Sequence, residues 1–276
     1  MNYVESDEED LTRKQRREQA RANRKALEDA AAASAARRSR LTQLGIVVTV
    51  VVVAIVVILI ATSGGSKPKP IRNGSNEATK AVAAVSSLVG GIAQSGDAIG
   101  SPTAPVTLQY FGDLQCPICK QFTLGALTPI VQKWVRTGKL RIEYRSLETA
   151  TREPEVFKTQ QVAALAAGKQ NKLWDFVELF YHEQQEEGSG YVTESYLQNL
   201  AQQVPALNLS KWTSDRSDQT LSSQIATDAQ AANNAGFNGT PSFLIGKTGG
   251  ASTKLEYTSL TDPAPFDAAI EKLLKA

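Results

Sequence analysis

The chain has 276 residues, a hydrophobic share of 42% and a formal net charge of +2. Those values allow one medium-sized domain with appendages and give no sign of nucleic-acid binding. With two cysteines and one histidine in the whole sequence, a structural zinc site is poorly supplied, because it takes about four nitrogen, sulfur or carboxylate ligands.

Residues 1–43 read as a charged tail, acidic at Glu5 and 7–10, then basic at Arg13, Lys14, Arg16, Arg17, Arg21, Arg24, Lys25, Arg37, Arg38 and Arg40. From Leu44 to Thr62 the chain carries no charge. At about 1.5 Å per helical residue that stretch spans a hydrocarbon core of about 30 Å. It is longer than the apolar core of a signal peptide and follows a long leader, so it reads as one uncleaved transmembrane helix in the lipid bilayer. The arginines on its N-terminal side place the tail in the cytoplasm and the rest of the chain outside the cell membrane. Disulfides persist in that compartment.

Residues 63–87 read as a linker, rich in Gly, Ser, Lys, Pro and Asn over 63–80, with an apolar-periodic stretch from Ala81 to Ile92 that suits a helix or pre-strand. A domain over 88–276 follows. APVTLQYFGD (104–113) is a buried strand bounded by Pro and Gly. Phe122, Ala126, Ile130 and Trp134 recur every four residues as one face of a helix, which Pro129 is expected to kink. LRIEYR (140–145) alternates as a half-buried strand. Residues from about 154 to 236 are helical, broken at 188–190 and Pro205, with Trp174, Phe176 and Phe180 at core spacing. Strands are expected again at 241–246 and 254–259, and a helix with Pro265 in its first turn closes the chain.

Both cysteines fall in FGDLQCPICKQF, as Cys116-Pro117-Ile118-Cys119. A disulfide closing so small a loop adds little as a staple. Haem attachment wants a histidine at 120, where Lys stands. Redox chemistry fits the setting: Cys116 lies where a strand gives way to a helix, Pro117 takes the first helical position, and the unpaired N–H groups of that turn favour the thiolate. Cys119, one turn on, is placed to attack a mixed disulfide at Cys116. No metal or organic cofactor is called for. His182, on a predicted helix, reads as a solvated or capping residue.

The order strand, helix, strand, helical block, strand, strand, helix is that of a thioredoxin fold with an inserted helical domain at about 154–236. FGDLQCPICKQF together with NGTPSFLIG (238–246) resembles the DsbA-like thiol-disulfide oxidoreductases, specifically their membrane-anchored bacterial members. The resemblance implies an exposed nucleophile at Cys116, a buried partner at Cys119, modulation by Pro117 and Ile118, and a substrate-binding cis-proline loop at Thr240-Pro241, with Gly239 permitting a tight approach. Two positions depart from the family. The buried acid often found six residues before the nucleophile is replaced by Tyr110, with Asp113 either its substitute or an exposed turn residue. Ile118 stands where the best-known members have His, and a weaker oxidant is expected.

The activity implied is introduction of disulfide bonds into unfolded exported proteins, with a quinone-linked membrane partner as reoxidant. Two rival readings are a reductase or isomerase of the same fold serving disulfide repair or cytochrome maturation, and a non-catalytic binding or chaperone module.

Overall fold

The computed structural model describes residues 69–70 and 73–276. The tail 1–43, the apolar segment 44–62 and the linker to residue 68 lie outside the described residues; among those described, no helix is long and apolar enough to cross a membrane. In chain order the elements are α1 (Asn76–Val89), β1 (Gln94–Ser95), β2 (Ala98–Ile99), β3 (Val106–Gly112), α2 (Pro117–Leu124), α3 (Leu127–Ile130) continued by a π-helical turn (Val131–Val135), and β4 (Leu140–Ser146). Then come α4 (Pro154–Gly168), α5 (Leu173–Glu183), α6 (Glu194–Gln203), α7 (Leu209–Asp215), α8 (Gln219–Asn234), β5 (Ser242–Lys247), β6 (Ser252–Lys254) and α9 (Ala264–Lys275).

The strands form one sheet in the order β1-β2-β4-β3-β5-β6. β3 pairs in parallel with β4 and antiparallel with β5. A parallel neighbour requires a crossover, and α2 and α3 supply it, so the segment leaving the C-terminal end of β3 must turn at once into a helix. That turn holds the cysteines. β3 is covered on both faces: Val106, Leu108 and Tyr110 join the main core, while Phe111 packs in a smaller cluster with Leu147 and Ala232. Tyr110 sits at the centre, its ring centroid 5.1 Å from Phe122, 5.6 Å from Tyr144 and 5.5 Å from Phe243. The helices α4 to α8 form the insertion. Arg145 on β4 pairs with Asp228 on α8 at 3.3 Å, and Asp228 also accepts the Ser146 N–H at 2.9 Å, which ties that insertion to the sheet.

Three local expectations are corrected, and one further pair of strands escapes the sequence. Residues 76–87 are helix rather than linker: Ser75 caps α1, and Ala78, Ala81, Val85 and Leu88 are buried along one face. The helix after the cysteines breaks at Gly125, not at Pro129, because a side chain at Gly125 would lie 2.9 Å from the Leu260 carbonyl, and Ala126 turns its N–H to that same oxygen. The strand expected at 254–259 lies at Ser252–Lys254; beyond it the chain leaves the ladder, and Tyr257 packs its ring against Phe243 instead. The short β1–β2 pair, two residues each, carries no alternation long enough to be read from the sequence.

α5 buries one acid without a partner. Both oxygens of Glu178 are sealed from solvent and accept no hydrogen bond, beside a groove of about 310 Å³ lined by Ala84, Leu88, Leu124 and His182. Burial pushes this carboxyl up to about 8. Below about pH 4 it is neutral whether the chain is folded or not; above that the unfolded chain ionises and the folded one does not, so stability falls by about 1.4 kcal/mol per pH unit until the folded value is reached. Glu178→Gln should therefore match the wild type most closely near pH 4 and gain on it by several kcal/mol toward pH 8, as roughly the integral of that slope, measured by urea unfolding.

Candidate active site

Cys116 is the N-cap of α2: its sulfur accepts the Cys119 N–H at 3.4 Å, and Pro117 occupies the first turn where a missing N–H leaves nothing unpaired. Both cysteines are free thiols. Four groups converge on the Cys116 sulfur. The largest effect is the hydrogen bond from the Cys119 thiol, followed, against the opposing effect of burial, by Thr240 and the N–H groups of Cys119 and Ile118, and together they bring Cys116 down to about 6. The helix N-terminus anticipated from the sequence contributes, but less than the neighbouring thiol. Cys119 goes the other way. It is fully buried, and burial, then its bond to Cys116, push its thiol well above the ordinary range. The reduced pair is thus a thiolate at 116 holding a thiol at 119.

The expected exposure of Cys116 needs correction, since the residue keeps only 5% of its surface. The reason is the loop before β5, where the Thr240–Pro241 bond is cis and the Thr240 carbonyl lies 3.4 Å from the Cys116 sulfur. Beside that small opening Ile118 is 40% exposed, one of the described large apolar side chains left to solvent, whereas Leu124 at the far end of α2 lines the groove beside Glu178. Gly239 plays no part in a close approach, because a side chain there would meet nothing within 4 Å.

Asp113 is neither an exposed turn residue nor a free base. It is fully buried. Its Oδ1 accepts from the Gln115 N–H (3.0 Å), the Thr151 hydroxyl (2.7 Å) and the Gln160 amide (3.2 Å). Its Oδ2 accepts from the N–H groups of Thr149, Ala150 and Thr151 at 3.1, 2.9 and 2.8 Å. The carboxylate staples the loop after β4 to the turn before the cysteines, and Thr149 on that loop hydrogen-bonds the Thr240 hydroxyl. Gln184 holds the same turn from the other side, donating to the carbonyls of Leu114 and Cys116 at 2.7 and 3.1 Å. Neither contact is visible in the sequence, where the partners stand 36 to 70 residues apart. His182 is half-buried at the end of α5, away from the pair, in the groove beside Glu178. Among the described residues no cluster of His, Cys, Asp and Glu is placed to hold a metal ion.

A reactive thiolate at a helix start, a buried thiol one turn on and a cis-proline loop over both are held by a βαβ and ββα frame with helices inserted between its halves. The family model described as thioredoxin (Thioredoxin_4) matches residues 93–261. The chain belongs to the thioredoxin family. It is a DsbA-like member, an oxidoreductase family built on the Cys-x-x-Cys pair. Among curated relatives, the probable disulfide bond formation protein D of Bacillus anthracis is 23% identical over 154 residues, 53% of this chain and 68% of that one. Disulfide bond formation protein D of Bacillus subtilis is 24% identical over 152 residues, 53% of this chain and 66% of that one. Among solved structures, oxidised BdbD of Bacillus subtilis superposes with a TM-score of 0.56 at 21% identity, covering 67% of this chain and 98% of that one. Wolbachia pipientis α-DsbA1 gives 0.53 at 20% identity, covering 65% and 90%. At those identities the structural likeness establishes that this DsbA-like chain shares the thioredoxin fold with inserted helices.

Proposed function

We propose that this DsbA-like protein donates its Cys116–Cys119 disulfide to newly exported proteins on the outer side of a bacterial cell membrane, to which residues 44–62 tether it. The observation that carries the reading is the asymmetry of the pair, with Cys116 held down to about 6 and Cys119 pushed up. A client thiolate attacks the Cys116 sulfur; the bond to Cys119 breaks, and Cys119 takes the electron pair and, from solvent, the proton that the client thiol gave up. A second client thiolate then attacks the client sulfur of the mixed disulfide. The client disulfide forms, and Cys116 leaves as the thiolate that its neighbours stabilise. Thiols of low pKa are good leaving groups, and a stabilised reduced form makes the pair an oxidant.

In this reading Ile118 offers apolar contact to an unfolded client, and the Thr240 backbone pairs with its extended chain. Resetting the dithiol to the disulfide takes two electrons, which a membrane partner passes to quinone; the tether raises that partner's effective concentration. The names of the Bacillus relatives support disulfide formation over reduction, and the apolar, uncharged stretch 44–62 supports the location.

The test is transfer to a reduced, unfolded protein with two thiols. The oxidised protein should form the client disulfide and end as the dithiol in equal amount. In its native cell Cys116 and Cys119 should be found mostly as the disulfide; a mostly reduced pair would overturn the donor reading in favour of a reductase.

A further inference from the structure

Asn238-Gly239 stands immediately before Thr240, and the only other Asn-Gly pair in the sequence is Asn73-Gly74. The fold asks nothing of Gly239 that needs a glycine: its φ is not left-handed, and a side chain there would meet nothing within 4 Å. What glycine does supply is an uncrowded main-chain nitrogen. In an Asn-Gly pair that nitrogen can reach the asparagine side-chain carbon and close a five-membered ring.

Asn238 is left free to do so. It is exposed. Among the described residues its side chain has no hydrogen-bond partner, and the Gly239 N–H donates to no acceptor. Asn73 is exposed as well, but its amide donates to Gln202 Oε1 at 2.7 Å, which ties down the group that would have to leave. The chain on both sides of Asn238 is pinned. The Phe237 N–H bonds the Ala232 carbonyl at 2.9 Å, and its ring lies 5.2 Å from that of Phe111 on β3. The Gly239 carbonyl accepts the Ser242 hydroxyl at 2.7 Å, and the Thr240 hydroxyl meets that of Thr149. Any lengthening of the main chain at 238 must displace one of these contacts, and they hold the Thr240 carbonyl 3.4 Å from the Cys116 sulfur.

We propose that Asn238-Gly239 is a self-modification site, which closes to a succinimide and is opened by water to an isoaspartyl link that draws Thr240 off Cys116. The Gly239 nitrogen loses its proton to hydroxide and attacks Asn238 Cγ. The Cγ–Nδ2 bond breaks, and ammonia leaves with a proton from water. Water then opens the ring at one of its two carbonyls, with no change of oxidation state. Attack at Cγ gives an aspartate in the original main chain. Attack at the main-chain carbonyl gives the isoaspartyl form, in which the backbone runs through Cβ and Cγ and is one methylene longer. Both products carry a new negative charge. Lys254 and Glu256 line the same hollow of about 420 Å³ as Asn238; the lysine offers the carboxylate a cation and the glutamate opposes it, so charge alone changes the exposed loop little. The added methylene is what reaches the site. The proposal concerns the reduced pair and holds whichever way electrons flow through it.

The full chain is aged at mildly alkaline pH and digested, and mass spectrometry follows the gain of about 1 Da as amide becomes carboxyl. The peptide with Asn238 should convert at least about fivefold faster than the peptide with Asn73, and Gly239→Ala, for which the loop has room, should slow it at least about tenfold. The isoaspartyl form, isolated by chromatography and reduced, should ionise Cys116 at least about half a pH unit above the fresh protein, whereas Asn238→Asp should stay within about 0.2 unit of it. Conversion at Asn73 as fast as at Asn238, or an unslowed Gly239→Ala, would overturn the site. An isoaspartyl form that titrates like the fresh protein, or an Asn238→Asp that shifts as far as the isoaspartyl form, would overturn its action through the loop.

Discussion

Disulfide transfer to a reduced client should fall by at least about a thousandfold when Cys116 is replaced by Ser, because a hydroxyl at a helix N-cap remains un-ionised at neutral pH and forms no exchangeable bond. The companion variant separates nucleophile from partner. Cys119→Ala leaves the N–H groups of α2 around the Cys116 sulfur but removes the Cys119 thiol, the largest single contribution to its low pKa. Its thiolate should form at a higher pH than in the wild type, and its mixed disulfides with single-cysteine clients should persist, since neither the site nor the client holds a second thiol to resolve them. Non-reducing electrophoresis reads both effects: no adduct in Cys116→Ser, stable adducts in Cys119→Ala. Full client oxidation by Cys116→Ser would favour the binding-module reading.

The second large effect is expected at Asp113, which binds neither client nor sulfur through its side chain. Asp113→Ala leaves four backbone N–H groups, those of Gln115, Thr149, Ala150 and Thr151, without their acceptor inside the protein. Bonds to an ionised acceptor contribute about 1.5–3 kcal/mol and an orphaned buried donor costs about 1–3 kcal/mol, so with partial access of water a loss of about 3–5 kcal/mol is expected. A domain with about 5–15 kcal/mol in total loses a large share of it. Asp113→Asn should lose roughly half as much, by the same accounting. Its carbonyl oxygen can keep the three fixed N–H donors of 149–151, while on the other side the Thr151 hydroxyl can rotate and the Gln160 amide can flip to meet the new N–H₂ group. Urea unfolding of the two variants measures the difference. Where the Ala variant remains folded, the freed loop no longer holds Thr149 on Thr240, and Cys116 should label with iodoacetamide more slowly at pH 7. Equal stability of the three proteins would show that the staple is ornamental.

What the sequence reveals here divides by distance along the chain. The cap at Cys116, the proline behind it and the thiol one turn on all lie within four residues, so local rules of helix starts expose them. The strands β3 and β4 declare themselves by alternation, and the cis-proline loop by its place before β5. Asp113 was ambiguous because the donors that decide its role come from residues 115, 149 to 151 and 160. Tyr110 visibly replaces an acid, yet nothing local shows that its hydroxyl meets those of Thr123 and Tyr181 in the core. Periodicity alone runs this helix from Ala81 to Ile92, whereas α1 spans Asn76–Val89: Ala78 and Ala81 make a thin apolar stripe within polar sequence, and burial against α5 lends it the apolar face that isolated periodicity understates. The same limit explains Glu178, whose burial no neighbour in sequence announces.

The thiolate at Cys116 also links redox chemistry to stability. A thiol held below its ordinary value of about 8.5 stabilises the folded chain above that pH, and the gain is lost as pH falls through the folded value. With Cys116 at about 6, the window runs from about pH 8.5 down to about pH 6, and partial solvent contact at the sulfur keeps the gain at pH 7 to about 1 kcal/mol. The reduced form alone carries this term, which is the thermodynamic sense in which the disulfide is ready to be given away.

The decisive measurement is the ultraviolet absorbance of the thiolate in the reduced protein, followed as a function of pH with Cys116→Ser as the blank. One ionisation centred near pH 6 is predicted, with no second thiolate appearing until well into the alkaline range. A single transition at the ordinary cysteine value of about 8.5, or two thiols ionising together, would contradict the account at its centre.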